Sequence, residues 1–320
     1  MSLLGGLPAR AAGTVTACTE TALRAAMAGG GTVTFACDGT ITLSDTIEIG
    51  TNTVLDGSGN QMTVSGSNAC QVFFVDSNVN FTLINLTIAH GLSTNGSGGG
   101  IYNDGTLNAA NCLFLSNSAV AGSGLAGSGG AIDNAGTLSA TDCAFLQNSV
   151  VGGDQTQIGN PGGAACGGAI CSLGSMVVQR SLFASNTIVG GAGGPGAAGV
   201  YSFGGSPGSP GSVGATGGDA CGGALFIGGP SSLVNCTLTG NQARGGPGGQ
   251  GGLRGGHFDA GIMDNVWLAG GPGGFGGAAS GAACDPAGVL RLTNCTIALN
   301  SSAGGPGGVG GMGNPNGSPG

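Results

Sequence analysis

Lysine is absent from this chain of 320 residues, and charged residues of every kind are scarce. They make up 6% of the sequence, against about 25% in an ordinary soluble domain. Six arginines stand against 14 acidic residues, so the formal net charge is −8 and no basic groove for nucleic acid can be built. So few charges also make a free monomer poorly soluble, which favours surfaces that are covered by the chain's own segments or by other subunits.

Two further absences limit the function. No run of about 18 apolar residues occurs, so the sequence predicts no membrane-spanning helix. The 11 cysteines include no two C-x-x-C motifs at zinc spacing, which disfavours a metal site, and no cofactor is predicted. The many cysteines instead indicate an oxidising compartment or a column of buried thiols. Residues 1–13 resemble the end of a secretory signal without its full apolar region, and they fit a disordered start equally well.

The most informative feature that is present is a repeat. A 20-residue cassette, GGAIDNAGTLSATDCAFLQN at 129–148, recurs at 98–117, 167–186, 222–241 and, more loosely, 281–300. The distance between successive closing asparagines grows from 31 to 59 residues while the cassette keeps its length. A unit of fixed length with connections that lengthen at one point is typical of a stacked repeat protein with inserts.

The second half of each cassette alternates with a period of two, which predicts a strand with one buried face. Short strands with no room for a crossover helix indicate an all-β solenoid, with residues 33–300 in one body, and equivalent positions then stack in columns. One interior column is predicted to contain Ile101, Ile132, Ile170 and Leu225. A second is predicted to contain Phe114, Phe145, Phe183, Leu238 and Ile297. The closing asparagines are predicted to form a hydrogen-bonded ladder at a turn: Asn117, Asn148, Asn186, Asn241 and Asn300.

The cassettes at 98–300 resemble the repeat pair of the polymorphic outer-membrane proteins and related autotransporter passengers. The resemblance lies in GGA followed by Ile or Leu, at 129–132, 167–170 and 222–225, and in Phe-x-x-Asn, at 114–117, 145–148 and 183–186. The pattern covers about half of the chain, and the fifth cassette departs from both motifs. The resemblance implies a right-handed parallel β-helix of the pectate-lyase-like kind, on a secreted or surface protein. It implies no catalytic residue.

The N-terminal region is predicted to close one end of the solenoid. Residues 14–37 contain a strand and the one convincing helix, TETALRAAMA at 19–28, with Thr19 or Thr21 as its N-cap. A disulfide between Cys18 and Cys37 would fix this cap. Residues 38–97 supply the first coils without the GGA motif. Their aspartates are interpreted as turn residues rather than as a calcium site: Asp38, Asp45, Asp56 and Asp76.

The connections between cassettes are rich in glycine and proline. They span 118–128, 149–166, 187–221 and 242–280, and a last one fills 301–320. This composition is typical of disorder, yet Gly-Gly-x spacing also fits polyproline-II segments, in which glycine lets neighbouring backbones approach. Because the inserts leave the solenoid side by side, we expect them to pack as ordered segments on one side of it. Phe258 and Trp267, in the longest insert, are predicted either to form an interface or to cover the flank of the solenoid.

The cysteines follow the repeat. One inward position is predicted to hold packed thiols in four cassettes and a serine, Ser181, in the third: Cys112, Cys143, Cys236 and Cys295. Cys166 and Cys221 stand directly before GGA in successive cassettes, and we expect a disulfide between them that joins two inserts.

The sequence offers no catalytic constellation. A lyase of this fold needs a base and a carboxylate cluster, and a glycoside hydrolase needs paired acids. Asp133 and Asp142 belong to one coil, but neighbouring cassettes do not repeat them. Fold analogy alone does not establish function, so enzyme activity is not predicted.

The leading hypothesis is a secreted structural protein that assembles with itself. No returning GGA follows Asn300, so the last coil is expected to expose its strand edges to another copy, head to tail, in a surface fibre or matrix. The first alternative is a cell-surface adhesin or autotransporter-type passenger that contacts a surface glycan or a host surface. The second alternative is a carbohydrate-active enzyme.

Overall fold

The computed structural model describes residues 13–203, 208–259 and 264–312. Nearly all of the regular structure in these residues is β-strand. Apart from one hairpin, successive strands along each sheet pair in parallel and in register. The chain therefore winds as a parallel β-helix, and one cassette supplies most of one coil, as the repeat predicted.

Three long parallel sheets enclose the core, and each coil passes through them in turn. Sheet 1 contains nine strands: Gly13–Val15, Gly31–Phe35, Thr53–Asp56, Asn80–Ile84, Thr106–Ala110, Thr137–Thr141, Ser175–Gln179, Ser231–Val234 and Leu290–Thr293. Sheet 2 contains eight: Gly39–Thr42, Met62–Ser65, Leu86–Ala89, Leu113–Leu115, Ala144–Leu146, Leu182–Ala184, Thr237–Thr239 and Thr296–Ala298. Sheet 3 contains seven: Ile47–Ile49, Phe73–Val75, Ile101–Asn103, Ile132–Asn134, Ile170–Ser172, Leu225–Ile227 and Cys284–Pro286.

Three smaller sheets carry the inserts. Sheet 4, through which the chain leaves each coil, contains Leu92–Ser93, Ser118–Val120, Ser149–Val151, Thr187–Val189, Gln242–Arg244 and Ser301–Ala303. Sheet 5, through which the chain returns, contains Gly127–Ser128, Ala165–Cys166, Ala220–Cys221 and Ala279–Ser280. Sheet 6, between the outgoing and return segments of the two longest inserts, contains Tyr201–Phe203, Gly256–Asp259 and Asp264–Trp267.

Each cassette turns at three residues whose backbone is left-handed. In the cassette at 129–148 these are Gly129, Asp142 and Gln147, with φ between 55° and 60°. The other cassettes have left-handed residues at the same three positions. At the first of them glycine is needed for space as well as for φ, since a Cβ on Gly129 would lie 2.2 Å from the carbonyl oxygen of Ile132. The GGA motif thus marks a corner of the coil.

The core consists of columns that the register produces. The rings of Phe114, Phe145 and Phe183 are fully buried and stacked, with 4.7 Å between the centroids of successive rings. That distance matches the spacing of neighbouring strands, about 4.8 Å, so in-register pairing alone stacks the rings. The predicted isoleucine and leucine column is also fully buried.

Ile297 is the exception to the predicted core. It continues the phenylalanine column in register with Leu238, but 47% of its surface is exposed. The prediction that Ile297 is a core residue is therefore wrong. In the described part of the chain, no strand pairs with the outer edge of Thr296–Ala298, so one side of Ile297 has no neighbouring coil.

A short helix packs at the N-terminal end of sheet 1. It spans Glu20–Met27, and the Oγ1 of Thr19 accepts a hydrogen bond from the N–H of Ala22, which identifies Thr19 as the N-cap. The buried side chains of the helix belong to the main core. A disulfide joins Cys18 to Cys37, with 5.9 Å between their Cα atoms. The predicted helix and the predicted bridge are both confirmed.

Candidate functional surfaces

The closing asparagines form a continuous ladder inside the β-helix. The backbone N–H and the Nδ2 of Asn117 both donate to the Oδ1 of Asn148, each at 3.0 Å. The Nδ2 of Asn148 donates to the carbonyl of Phe114, one coil back, and to the Oδ1 of Asn186. The same pattern continues to Asn241 and Asn300. The ladder is as predicted, and because its members up to Asn241 are fully buried it holds coils together and contacts no ligand.

The glycine-rich inserts form a two-layered bundle beside the β-helix. Each long insert leaves sheet 4 as an outgoing segment and comes back to sheet 5 as a return segment. The outgoing segments, 190–199, 245–254 and 304–312, are hydrogen-bonded side by side in one layer. The return segments, 208–219 and 268–278, are hydrogen-bonded side by side in the other layer.

The hydrogen bonds of the bundle repeat every three residues. Within the outgoing layer, N–H groups donate to the carbonyls of the next segment at 2.9 Å: Gly245 to Ala303, Gly248 to Pro306 and Gly251 to Val309. Between layers, N–H groups of a return segment donate to the outgoing segment of the same insert at 2.8 Å: Gly271 to Gly252, Gly274 to Gly249 and Gly277 to Gly246. Three residues is the period of a polyproline-II helix. The expectation that the inserts are ordered is confirmed.

Close packing explains why two of every three residues are glycine in the outgoing segments of the last two inserts, GGPGGQGGL at 245–253 and GGPGGVGGM at 304–312. A Cβ on Gly246 would lie 2.0 Å from the carbonyl oxygen of Gly191, and one on Gly249 would lie 1.9 Å from that of Gly194. No neighbouring backbone can move aside within a bundle that is bonded on several sides. The third position of each triplet faces outward, where side chains are accommodated.

The outer faces of the bundle are almost uncharged. On the outgoing layer, the exposed positions of the segment 245–254 hold proline, glutamine and leucine, and those of 304–312 hold proline, valine and methionine. On the return layer, Phe275 has 74% of its surface exposed. These faces are therefore flat arrays of mainly apolar side chains that are spaced three residues apart along each segment.

The last described coil presents a second apolar surface. Leu292 and Ile297 occupy inward positions, yet 44% and 47% of their surfaces are exposed. Leu299, at the neighbouring turn, has 87% of its surface exposed. Within the described residues, none of the four strands of this coil has a partner on its outer side.

The inward cysteines are packed thiols, as predicted. Cys112, Cys143 and Cys236 are buried, and each Sγ lies within 3.4 Å of the carbonyl two residues before it. The hydrogen bond to Cys143 and burial raise the pKa of the Cys112 thiol. Cys295 occupies the same position in the last described coil, where it is half-buried.

The predicted disulfide between Cys166 and Cys221 is wrong. The two residues are Cα partners in neighbouring parallel strands, and both are free thiols. Side chains in such a pair point in the same direction, which does not supply the dihedral of about 90° that a disulfide requires. Burial instead raises the pKa of the Cys166 thiol to about 12.

Sequence reasoning missed a polar pair at the corner between sheets 5 and 3. The Oγ of Ser128 donates to the Oδ2 of Asp133 at 2.6 Å, and burial raises the pKa of the Asp133 carboxyl. Ser280 and Asp285 repeat this pair three coils further on. A serine five residues before an aspartate, in two of the five cassettes, is the signal that could have revealed it.

The corner does not bring its two carboxyl groups together. With coils about 4.8 Å apart, Asp133 and Asp285 lie about 14 Å from each other. Glycoside hydrolases hold their two carboxyl groups about 5–9.5 Å apart. The pair therefore lacks the spacing of a hydrolase site.

An open groove of about 1190 Å³ lies outside sheet 2, near its N-terminal end. Thr40, Thr63 and Thr87 line it from three neighbouring strands. Side-chain amides and one carboxylate complete the wall: Asp38, Asn60, Gln61, Asn85 and Asn111. Hydroxyl and amide groups suit a neutral, hydroxyl-rich ligand. Sequence reasoning missed the groove because most of the residues that line it precede the cassettes.

Three of the four aspartates that the sequence analysis interpreted as turn residues accept hydrogen bonds from backbone N–H groups. The Oδ1 of Asp38 accepts from the N–H of Gln61 at 2.7 Å, and Asp45 and Asp56 accept from nearby backbone N–H groups. In the described residues, no group of three or more His, Cys, Asp or Glu side chains could hold a metal ion.

The predicted interface residues lie on the hairpin of sheet 6. Its strands, Gly256–Asp259 and Asp264–Trp267, pair in antiparallel register and contain Phe258 and Trp267. The side chains of both residues lie outside the described part of the structure, so the interface stays a prediction.

Comparison with known proteins identifies no relative. No protein-family model matches the chain, and no curated protein and no solved structure is similar to it. The resemblance to the polymorphic outer-membrane proteins therefore rests on the two short motifs alone. No helix among the described residues is long and apolar enough to cross a membrane.

Proposed function

We propose that this chain is a non-catalytic structural protein that assembles with copies of itself into an extracellular fibre or matrix. The observation that carries the proposal is the outer face of the glycine bundle. Its exposed side chains are mainly apolar and almost uncharged, and Phe275 has 74% of its surface exposed. Extended apolar surfaces of this kind mark sites of contact between proteins.

Two other features support the proposal. A contact between the outer face of the bundle and a different surface of the next copy is heterologous, and heterologous contacts that do not close produce filaments. The low charge of the chain leaves little electrostatic repulsion between neighbouring subunits. The disulfide between Cys18 and Cys37 supports an oxidising, extracellular location.

The assembly can be tested with a pair of lysine variants. Phe275→Lys places a charge on the outer face of the return layer, and Leu173→Lys places the same charge at the turn between sheets 3 and 1, where Leu173 is already exposed. We expect the wild-type chain and Leu173→Lys to form filaments of uniform width in electron micrographs, and Phe275→Lys to sediment as a monomer. Wild-type protein that stays monomeric at high concentration, or two variants that assemble equally, would refute the role of this face.

The groove favours a second candidate function, adhesion to a surface glycan. Its threonine and amide side chains could donate to and accept from sugar hydroxyl groups. Thr63→Tyr, in the middle of the groove, should abolish binding of neutral oligosaccharides without changing the melting temperature by more than a few degrees. Absence of any binding by the wild-type chain at millimolar oligosaccharide would remove this candidate.

A further inference from the structure

The corner between sheets 5 and 3 carries facing pairs of side chains whose members are five residues apart in sequence. In one coil the pair is Ser128 and Asp133, which are joined across the corner by a hydrogen bond of 2.6 Å. Sheet 5 pairs Ser128 with Cys166, and sheet 3 pairs Asp133 with Cys171. In the next coil, the register therefore places two thiols where the first coil has a hydroxyl group and a carboxyl group in contact.

The backbone of this corner is the same in both coils. Gly129 and Gly167, which follow the first member of each pair, are both left-handed, with φ of 60° and 63°. A Cβ on either glycine would lie 2.2 Å from the carbonyl oxygen three residues ahead. Two coils beyond the cysteines, Ser280 and Asp285 are again hydrogen-bonded across the corner. The facing arrangement is therefore a property of the corner, and it is found on both sides of the two cysteines.

The thiol of Cys166 has two different kinds of neighbour. Cys221 stands beside it in register, so their side chains point in the same direction, which does not supply the dihedral of a disulfide. Cys171 instead faces it across the corner, from the other of two sheets that meet at an angle. Rotation about the side-chain bonds of two facing cysteines can bring their sulfur atoms together without a change of register.

The two facing thiols differ in access. Cys171 is buried, whereas Cys166 is half-buried and can be reached from solvent. Burial raises the pKa of both thiols, that of Cys166 to about 12. The negative charge of Asp133 raises the pKa of Cys171 further. Because only a thiolate attacks a disulfide, these shifts slow a reaction at the corner, but they do not alter which thiol is close enough to react.

We propose that Cys166 and Cys171 form a disulfide across the corner, with a small disulfide such as oxidised glutathione as the oxidant. The thiolate of Cys166 attacks the donor, which releases one thiol and leaves a mixed disulfide on Cys166. The thiolate of Cys171 then attacks the sulfur of Cys166 and releases the second thiol. Two protein thiols are oxidised, the donor is reduced to two thiols, and the two protons that leave the protein end on those released thiols.

The disulfide would tie the second insert, 149–166, to the core. This insert returns to its coil through Ala165–Cys166, a strand of only two residues. A bond from Cys166 to Cys171 connects that strand to Ile170–Ser172 of sheet 3. An oxidising, extracellular location, which is part of the proposed function, supplies donors of this class. The bond itself does not depend on assembly of the chain.

The test exposes the folded chain to millimolar oxidised glutathione at pH 8. Free thiols are then alkylated in denaturant, disulfides are reduced, and the released thiols receive a second label that fragment mass spectrometry assigns to each cysteine. We expect the second label on Cys166 and Cys171 in equal amounts, in addition to the two cysteines of the N-terminal disulfide. Cys143, whose thiol neighbour Cys112 is in register rather than facing, should carry the first label alone.

Two serine variants identify the partner of Cys166. In Cys171→Ser the reaction should stop at the mixed disulfide, so a glutathione adduct stays on Cys166 when the reduction step is omitted. Cys221→Ser, the matched control, removes the in-register thiol and should leave the yield of the disulfide between Cys166 and Cys171 unchanged.

Three outcomes would overturn the proposal. The first is that Cys166 and Cys171 stay free under conditions in which the unfolded chain oxidises. The second is loss of the new disulfide in Cys221→Ser, which would make Cys221 the partner of Cys166. The third is a glutathione adduct on Cys166 as the final product in the wild-type chain, which would show that Cys171 does not reach it. None of these measurements requires filaments, so this proposal and the proposed assembly fail separately.

Discussion

The asparagine ladder predicts an unusual dependence of stability on pH when one of its amides becomes an acid. Asn148→Asp keeps the Oδ1 that accepts from the N–H and Nδ2 of Asn117. It replaces the Nδ2 donor by an oxygen that faces two acceptors, the carbonyl of Phe114 and the Oδ1 of Asn186, each 3.0 Å away. Ionised, the new carboxyl group faces two partial negative charges in a fully buried site, whereas protonated it can donate to one of them.

These contacts determine the direction and the size of the change in stability with pH. Burial and the two acceptors hold the pKa of the new carboxyl group in the folded state above its unfolded value of about 3.9. Below that pH both states are protonated and the electrostatic penalty is absent; the penalty grows as pH rises and is complete above the folded pKa. Asn148→Ala instead leaves two donors of Asn117 without an acceptor, at about 1–3 kcal/mol each, so its cost of about 2–6 kcal/mol should not vary with pH.

Urea denaturation followed by circular dichroism, between pH 3 and pH 8, measures both effects. We expect Asn148→Asp to be less stable than Asn148→Ala at pH 7 and to regain stability towards pH 3, relative to the wild-type chain. Asn78→Asp, at an exposed left-handed residue, is the matched control and should follow the wild-type curve. A pH profile for Asn148→Asp that is parallel to that of the control would refute the ladder as an arrangement of buried donors and acceptors.

Further substitutions test the core, the bundle, the cap and the thiols separately. Phe145→Ala should lower the free energy of unfolding by about 3–5 kcal/mol, and a loss below about 1 kcal/mol in urea denaturation would contradict the stacked column. Gly249→Ala should accelerate amide exchange across the bundle because its Cβ meets a carbonyl, whereas Gly304→Ala, with 3.6 Å of clearance, should not. Cys18→Ser should lower the free energy of unfolding by about 2–4 kcal/mol relative to the oxidised wild-type chain, as measured by calorimetry. The variant, with its remaining cysteines reduced, and the reduced wild-type chain should be equally stable. Native Cys166, with its pKa raised to about 12, should react with iodoacetamide at pH 8 far more slowly than an unfolded control, as followed by mass spectrometry.

The sequence predicts those features that every coil repeats. The positions of Ile132, Phe145 and Asn148 recur at fixed offsets in each cassette, so parity and register suffice to place them inside and in columns. The repeat does not predict which coil lies at the end of the described stack. Ile297 carries the same pattern as Leu238, but no neighbouring coil covers it within the described residues, and a repeat motif contains no signal for that difference.

The other differences between the sequence-based predictions and the structure have causes in side-chain geometry and in features that few cassettes share. The motif correctly makes Cys166 and Cys221 neighbours, yet parallel side chains in register do not reach a disulfide dihedral. The pair of Ser128 and Asp133 appears in too few cassettes for the period to identify it. The groove outside sheet 2 could not be predicted, since it depends on how the first coils, which lack the motif, turn at Asn85 and its neighbours.

The glycine bundle shows how one register governs two different kinds of packing. Coils of the β-helix deliver the inserts at the spacing of paired strands, and this places the outgoing segments within hydrogen-bonding distance of each other.

The fourth insert is nevertheless longer than the third. The closing asparagines are 59 residues apart across the fourth insert and 55 residues apart across the third. Both segments of the fourth insert keep the three-residue phase of their neighbours, so the additional residues are accommodated between the segments, where the hairpin of sheet 6 lies. A single residue added within a segment would instead move an outward side chain into a position where a Cβ meets a carbonyl. Insert length can therefore vary at the tip alone, and the irregular spacing of the cassettes is compatible with a regular bundle.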